Sequence, residues 1–113
     1  MKKLSKEKLI TLLIILGVLL IAAVILKLNT PKTDEQISKC IGRNSVLYTR
    51  LGCHYCEAQE EIFGDNYEYL DVIDCFFEGK KCADITSTPT WIIDGKEYVG
   101  VQSFEELKEL TGC

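Results

Sequence analysis

At 113 residues the chain has room for one small domain and an accessory segment, but not for two independent cores. The net charge of −4 is unevenly divided: Lys2, Lys3, Lys6 and Lys8 stand against Glu7 alone at the start, whereas 8 basic and 16 acidic residues follow Lys27, so the body has no basic stripe to hold a nucleic acid. Six cysteines, all from Cys40 onward, argue against a reducing cytosol, where stable disulfides are rare.

Leu9 to Leu26 is an apolar run of 18 residues interrupted only by Thr11 and Gly17. As a helix it is long enough to cross a bilayer core of ~30 Å. With lysines before it and few positive charges directly after, the positive-inside rule places the N-terminus in the cytoplasm and the remainder outside. The run exceeds the ~7–15 apolar residues of a cleaved signal peptide, and no small-x-small site follows Leu26, so an uncleaved anchor is the expectation. The chain thus divides into a basic cytoplasmic head (1–8), a single-pass transmembrane anchor (9–28), a polar tether containing Pro31 (29–39) and an extracytoplasmic domain (40–113).

Ile37 to Ile41 reads as a short helical lead-in ending near Gly42, and Ser45 to Leu51, rich in β-favouring residues, as the first strand. From Glu57 to Phe63 the spacing is helical, with Glu57, Glu60 and Glu61 on one side and Ala58 and Ile62 on another, and Gly64-Asp65-Asn66 stops the helix. Tyr67 to Asp74 alternates as a second strand, parallel to the first because a helix joins them. Cys75 to Thr88 has no clear period and reads as loop with room for a short helix. Thr90 to Ile93 is a third strand, Asp94-Gly95 a hairpin turn, and Glu97 to Val99 the returning strand. Ser103-x-x-Glu106 is a capping box for a last helix, with Phe104, Leu107 and Leu110 on one face and Gly112 beyond its end.

The chemistry concentrates at Cys53-His54-Tyr55-Cys56, between the first strand and its helix. A helix start offers unpaired N–H groups and the positive end of the dipole, both of which stabilise a thiolate. Cys53 is therefore expected to be the exposed, acidic thiol and Cys56, a turn into the helix, its shielded resolving partner. A protonated His54 would add positive charge and make the disulfide more oxidising, whereas a neutral, solvent-facing one would do little. Two cysteines so spaced can also staple a loop or share a metal. A staple across so short a loop removes little chain entropy, and a metal needs two more ligands, which no second C-x-x-C supplies. Thr88-Pro89-Thr90-Trp91 is the other informative stretch, since a proline opening a strand fits an unpaired backbone edge or a cis peptide bond. Trp91 reads as a core aromatic.

A strand, a C-x-x-C helix, a strand, and then Thr-Pro before a hairpin and closing helix resemble the thioredoxin-like fold. That is an α/β fold in which βαβ and ββα halves surround a four-stranded mixed sheet. The resemblance implies that Pro89 is cis and lies against Cys53 and Cys56, and that Thr88 offers backbone groups to a substrate. Cys53-His54-Tyr55-Cys56-Glu57-Ala58-Gln59-Glu60-Glu61-Ile62-Phe63-Gly64, the Cys75/Cys82 pair, Ile85 to Gly95, and Tyr98-Val99-Gly100-Val101 are similar, more closely, to the thioredoxin-like domain that accompanies bacterial vitamin K epoxide reductase homologues. Such domains take electrons from folding proteins and pass them to a quinone-reducing membrane partner. The similarity implies a thiol oxidase acting on the cysteines of exported proteins, and no cofactor and a monomer are expected. The four-helix reductase part is not in this sequence, so reoxidation by a separate membrane protein is the expectation.

The motif departs from the family's better-known dipeptides in having His-Tyr, and Val46-Leu47-Tyr48-Thr49 lacks the buried carboxylate that thioredoxin keeps there. Weaker assistance to Cys56 tilts the expectation toward an oxidase. In a thioredoxin-like topology Cys40 and Cys113 lie at the face opposite the site and can form a disulfide closing nearly the whole domain. Cys75 and Cys82 bracket a short loop, as a local disulfide or as a second redox pair relaying electrons. An extracytoplasmic reductase, for instance of apocytochrome cysteines, and a copper or zinc carrier built on Cys53, Cys56 and His54 are the alternative functions.

Overall fold

The computed structural model describes residue 3, residues 5–29 and residues 31–113. Met1, Lys2 and Leu4 of the basic head and Thr30 of the tether lie outside the described residues. Two compact units are formed, Met1–Pro31 and Lys32–Cys113.

The first unit is one helix, α1 (Lys6–Leu28), of 23 residues, about 34 Å long at 1.5 Å per residue. Ser5 caps its start, its side chain accepting the Lys8 N–H. Leu9, Ile10 and Ile15 point in different directions around it and all are exposed. A helix apolar on every side has no single face to lay on a protein core. By length and composition α1 can cross a membrane.

The second unit opens with α2 (Asp34–Asn44), which replaces the end of the expected tether. The helix starts early because Thr33 and Gln36 form a capping box: the Gln36 N–H donates to Thr33 Oγ1 at 3.3 Å and the Thr33 N–H to Gln36 Oε1 at 3.1 Å. It also continues past Gly42, which is not a terminator. A Cβ there would collide with the Tyr69 carbonyl, so glycine is needed for close approach of the following chain.

β1 (Ser45–Thr49) buries Ser45, Leu47 and Thr49 in strict alternation. α3 (His54–Phe63) follows and ends at Gly64, whose φ is +55°. The face that α3 buries is Cys56, Gln59 and Phe63, whereas Ile62, on the side its spacing marks as apolar, is 42% exposed.

The expected strand from Tyr67 is shorter than its alternation indicates. Gly64–Tyr69 coils as a 3₁₀ turn, and only Val72–Asp74 forms β2. Side-chain partners favour the coil. Tyr69 Oη donates to Glu35 Oε1 at 3.0 Å, Lys39 Nζ sits 4.7 Å from the Tyr69 ring centroid, and Tyr67 packs against the core. A second 3₁₀ turn, Gly79–Cys82, interrupts the loop after β2.

β3 (Thr90–Ile93) and β4 (Lys96–Val99) form a hairpin whose turn residues Asp94 and Gly95 both have positive φ, 55° and 75°, as a tight two-residue connection requires. α4 (Phe104–Thr111) starts at Ser103, whose Oγ accepts the Glu106 N–H at 3.1 Å.

The sheet order is β2-β1-β3-β4, with β1 parallel to β2 and antiparallel to β3, and β3 antiparallel to β4. This is an α/β fold of the thioredoxin-like arrangement: a βαβ half, a ββα half and a four-stranded mixed sheet. Ile37 and Ile41 of α2, Leu47 of β1, Phe63 of α3, Trp91 and Ile93 of β3 and Leu107 of α4 share one core. Cys40 and Cys113, Cα atoms 5.9 Å apart, are joined as a disulfide that ties α2 to the chain beyond α4.

Candidate active site

The site is assembled where the parallel pair β1/β2 ends and α3 begins. Beyond Thr49 the chain turns at once, the Cys53 N–H donating to the Arg50 carbonyl at 3.0 Å and Gly52 taking a φ of 83°. The end of β2 holds this turn: Asp74 Oδ1 accepts the Leu51 N–H at 3.1 Å and the Phe76 N–H at 2.9 Å. Cys53 is delivered as the N-cap of α3.

Cys53 and Cys56 are joined as a disulfide, with Cα atoms 5.2 Å apart. Cys53 is partly exposed and Cys56 is only 6% exposed. Cys53 Sγ occupies the place of a capping oxygen, accepting the Cys56 N–H at 3.2 Å. Thr88 Oγ1 donates to the same sulfur at 3.5 Å, and Thr88 O lies 3.6 Å from it. Two donors and the helix N-terminus therefore converge on one sulfur, an arrangement that favours a thiolate there once the disulfide opens.

The Thr88-Pro89 bond is cis and Pro89 is fully buried. This loop is held from behind by the chain after β4, the Gly100 N–H donating to the Pro89 carbonyl at 2.8 Å. His54 and Tyr55 begin α3, both exposed, with ring centroids 6.1 Å apart in an edge-on arrangement.

A cavity of about 320 Å³ opens beside the disulfide, its walls including Thr49, Arg50, Cys56, Glu60, Tyr67 and Asp74. Burial, and then the Glu60 and Asp74 carboxylates, push the Tyr67 phenol up to about 12, against an opposing hydrogen bond with the Thr49 side chain. The phenol thus stays protonated beside Cys56 over the whole range in which thiols exchange.

Cys75 and Cys82 are joined as a disulfide and are 5% and 8% exposed. The Cys75 N–H donates to the Thr49 carbonyl at 2.8 Å, so this loop leaves the sheet beside the end of β1. Among the described residues no group of three or more His, Cys, Asp or Glu side chains is placed to hold a metal ion.

The residues that sequence reasoning passed over are Gln59, Gln102 and Asp74. Gln59 is wholly buried and joins α3 to Trp91 and Gln102. Its signal was a polar side chain one turn after Cys56, in line with Phe63. Asp74 had a weaker one, an acid ending a strand immediately before a cysteine.

No family model matches the chain. It is 36% identical over 77 residues to thiol-disulfide oxidoreductase LTO1 of Arabidopsis thaliana, a match covering 58% of this chain and 20% of that protein. The chain therefore spans about a fifth of that relative's length. Over this stretch it is a distant homologue of a thiol-disulfide oxidoreductase, and its four-stranded mixed sheet fits a thioredoxin-like oxidoreductase.

Proposed function

We propose that the chain is a membrane-anchored, extracytoplasmic thiol–disulfide oxidoreductase that oxidises cysteine pairs in exported proteins. The observation that carries this is the Cys53–Cys56 disulfide at the start of α3, with Cys53 reachable, Cys56 covered and Thr88-Pro89 against the reachable sulfur. The likeness to thiol-disulfide oxidoreductase LTO1 supports the chemistry, and α1 supports the anchor.

A substrate thiolate attacks Cys53 Sγ, the Cys53–Cys56 bond breaks, and Cys56 leaves as a thiolate that takes up a proton. The second substrate thiolate then attacks the substrate sulfur of the mixed disulfide and expels Cys53. Two electrons and two protons have moved from the substrate dithiol to the Cys53/Cys56 pair. The Cys56 N–H, the Thr88 hydroxyl and the helix start stabilise Cys53 as the leaving thiolate, which speeds the second step. Exposed Leu51, Tyr55, Phe76 and Phe77 border this end of the domain and suit an unfolded polypeptide as substrate. Asp74 holds the backbones of Leu51 and Phe76 together.

A quinone-coupled membrane protein would remove the two electrons and restore the disulfide. In this reading Cys40–Cys113 and the buried Cys75–Cys82 pair are structural. The deciding measurement is the reduction potential of Cys53–Cys56 at equilibrium with glutathione. A value of about −120 to −180 mV supports an oxidase, and one near about −270 mV supports a reductase instead. Replacing Cys56 by Ala removes the protein's own resolving thiol, so a partner disulfide captured by Cys53 is released only by the partner's own second thiol. If the membrane fraction then yields a mixed disulfide with a membrane oxidant, the proposed direction holds; trapping only oxidised exported proteins overturns it.

A further inference from the structure

Gln59 makes three hydrogen bonds from a site with 0% exposure. Its Oε1 accepts the Trp91 indole N–H at 2.9 Å and the Gln102 backbone N–H at 2.7 Å, and its Nε2 donates to the Gln102 carbonyl at 3.0 Å. Two donors facing one end of the amide and a carbonyl facing the other fix its orientation. Trp91 stands two residues after Pro89, and Gln102 two residues after Gly100, whose N–H holds the Pro89 carbonyl at 2.8 Å. Gln102 closes the segment on itself, its Nε2 reaching the Val99 and Gly100 carbonyls, each at 3.4 Å.

One side chain on the helix that carries Cys53 and Cys56 is thus bonded to both segments that fix Thr88-Pro89. We propose that Gln59 is a positioning residue for disulfide exchange: it holds the start of α3 at the distance from which Thr88 Oγ1 reaches Cys53 Sγ, and so sets the balance between the disulfide and the dithiol. The proposal rests on the disulfide-exchange reading of Cys53–Cys56 and adds to it a residue that touches neither sulfur.

The direction follows from what Gln59 aligns. Hydrogen bonds to Cys53 Sγ favour its thiolate and hence the dithiol state. When the alignment is lost, the disulfide gains relative to the dithiol and the pair becomes less oxidising. Gln59→Leu removes all three bonds. Gln59→Glu is more discriminating, because a protonated carboxyl can accept from Trp91 and Gln102 and donate to the Gln102 carbonyl, whereas a carboxylate has no proton for that carbonyl. Burial among neutral groups keeps such a carboxyl protonated to a higher pH than usual.

The test uses the full chain in detergent micelles, equilibrated with reduced and oxidised glutathione. The protein disulfide and two glutathiones convert to the protein dithiol and glutathione disulfide. Ile41→Ala, a core change in α2, serves as control for lost stability. Gln59→Leu is expected to shift the equilibrium about five-fold toward the protein disulfide, the size of one hydrogen bond's net worth. Gln59→Glu is expected within about two-fold of the unaltered chain at pH 5 and about five-fold shifted at pH 8, each referred to the unaltered chain at the same pH. Ile41→Ala is expected to unfold more easily and leave the equilibrium where it was.

An unshifted equilibrium in folded Gln59→Leu, or an equal shift in Ile41→Ala, overturns the proposal. If Gln59→Leu does not fold, Gln59→Glu decides, and a ratio that does not change with pH overturns it. Failure of the unaltered chain to exchange with glutathione would instead refute the exchange reading itself.

Discussion

The Leu51 N–H donates to the Asp74 carboxylate at 3.1 Å, binding the turn that delivers Cys53 to the last residue of β2. The same oxygen takes the Phe76 N–H at 2.9 Å, so one side chain closes both connections at this end of the sheet. Asp74→Ala is expected to cost about 1–2 kcal/mol, read as a lower urea midpoint. Proteolysis at the turn between Thr49 and Cys53 should speed up in the same variant. An unchanged midpoint would show that solvent replaces both bonds without loss.

Gly42 lies inside α2, where alanine would ordinarily favour the helix by about 1 kcal/mol. Here the added methyl would run into the Tyr69 carbonyl, a backbone atom fixed by the 3₁₀ turn. Gly42→Ala should therefore destabilise the chain by about 1–3 kcal/mol despite its better propensity. Chemical denaturation of the two proteins under identical conditions gives the sign directly.

The two peripheral disulfides close loops of very different length, with sequence separations of 73 for Cys40–Cys113 and 7 for Cys75–Cys82. In the chain-entropy account their removal costs about 4 and about 2 kcal/mol. Replacing both cysteines of each pair by alanine should lower the thermal midpoint much more for Cys40/Cys113. Equal losses would mean that the short bridge acts through packing of its buried sulfurs.

Tyr67 is pushed up to about 12 by burial and then by Glu60 and Asp74, and Tyr69 is pushed up to about 12 first by its hydrogen bond to Glu35. Between pH 10 and 12 the folded chain keeps phenolic protons that the unfolded chain has lost. Stability is therefore fully present below about pH 10 and falls as the pH rises through about 12. Tyr67→Phe should flatten that decline without abolishing it, since Tyr69 remains. Denaturation midpoints at successive pH values across this window measure the slope, and an unaltered slope would remove Tyr67 from the account.

The elements that were legible in the sequence are those set by neighbours along the chain. Cys53 and Cys56 at a helix start, the positive-φ pair Asp94-Gly95, the Ser103 cap and the apolar length of α1 all follow from local sterics, hydrogen bonds and the helix dipole. The Thr33/Gln36 box that starts α2 is equally local, although it stands in a polar stretch that reads as tether.

Contacts between residues distant along the chain set the remainder. The alternation from Tyr67 to Val72 resembles a strand, yet Glu35, Lys39 and the core hold Tyr69 and Tyr67 in a 3₁₀ turn. Gly42 matters because of a carbonyl 27 residues away. Along the chain Gln59 is one polar residue among the acidic side chains of α3. Only the arrival of Trp91 from β3 and Gln102 from beyond β4 makes it the link between the two halves of the site. Which two sulfurs stand at a helix start follows from local spacing, Cys53 at the N-cap of α3 and Cys56 three positions on. What is placed against them depends on chain that returns through the sheet, where long-range packing overrides local preference.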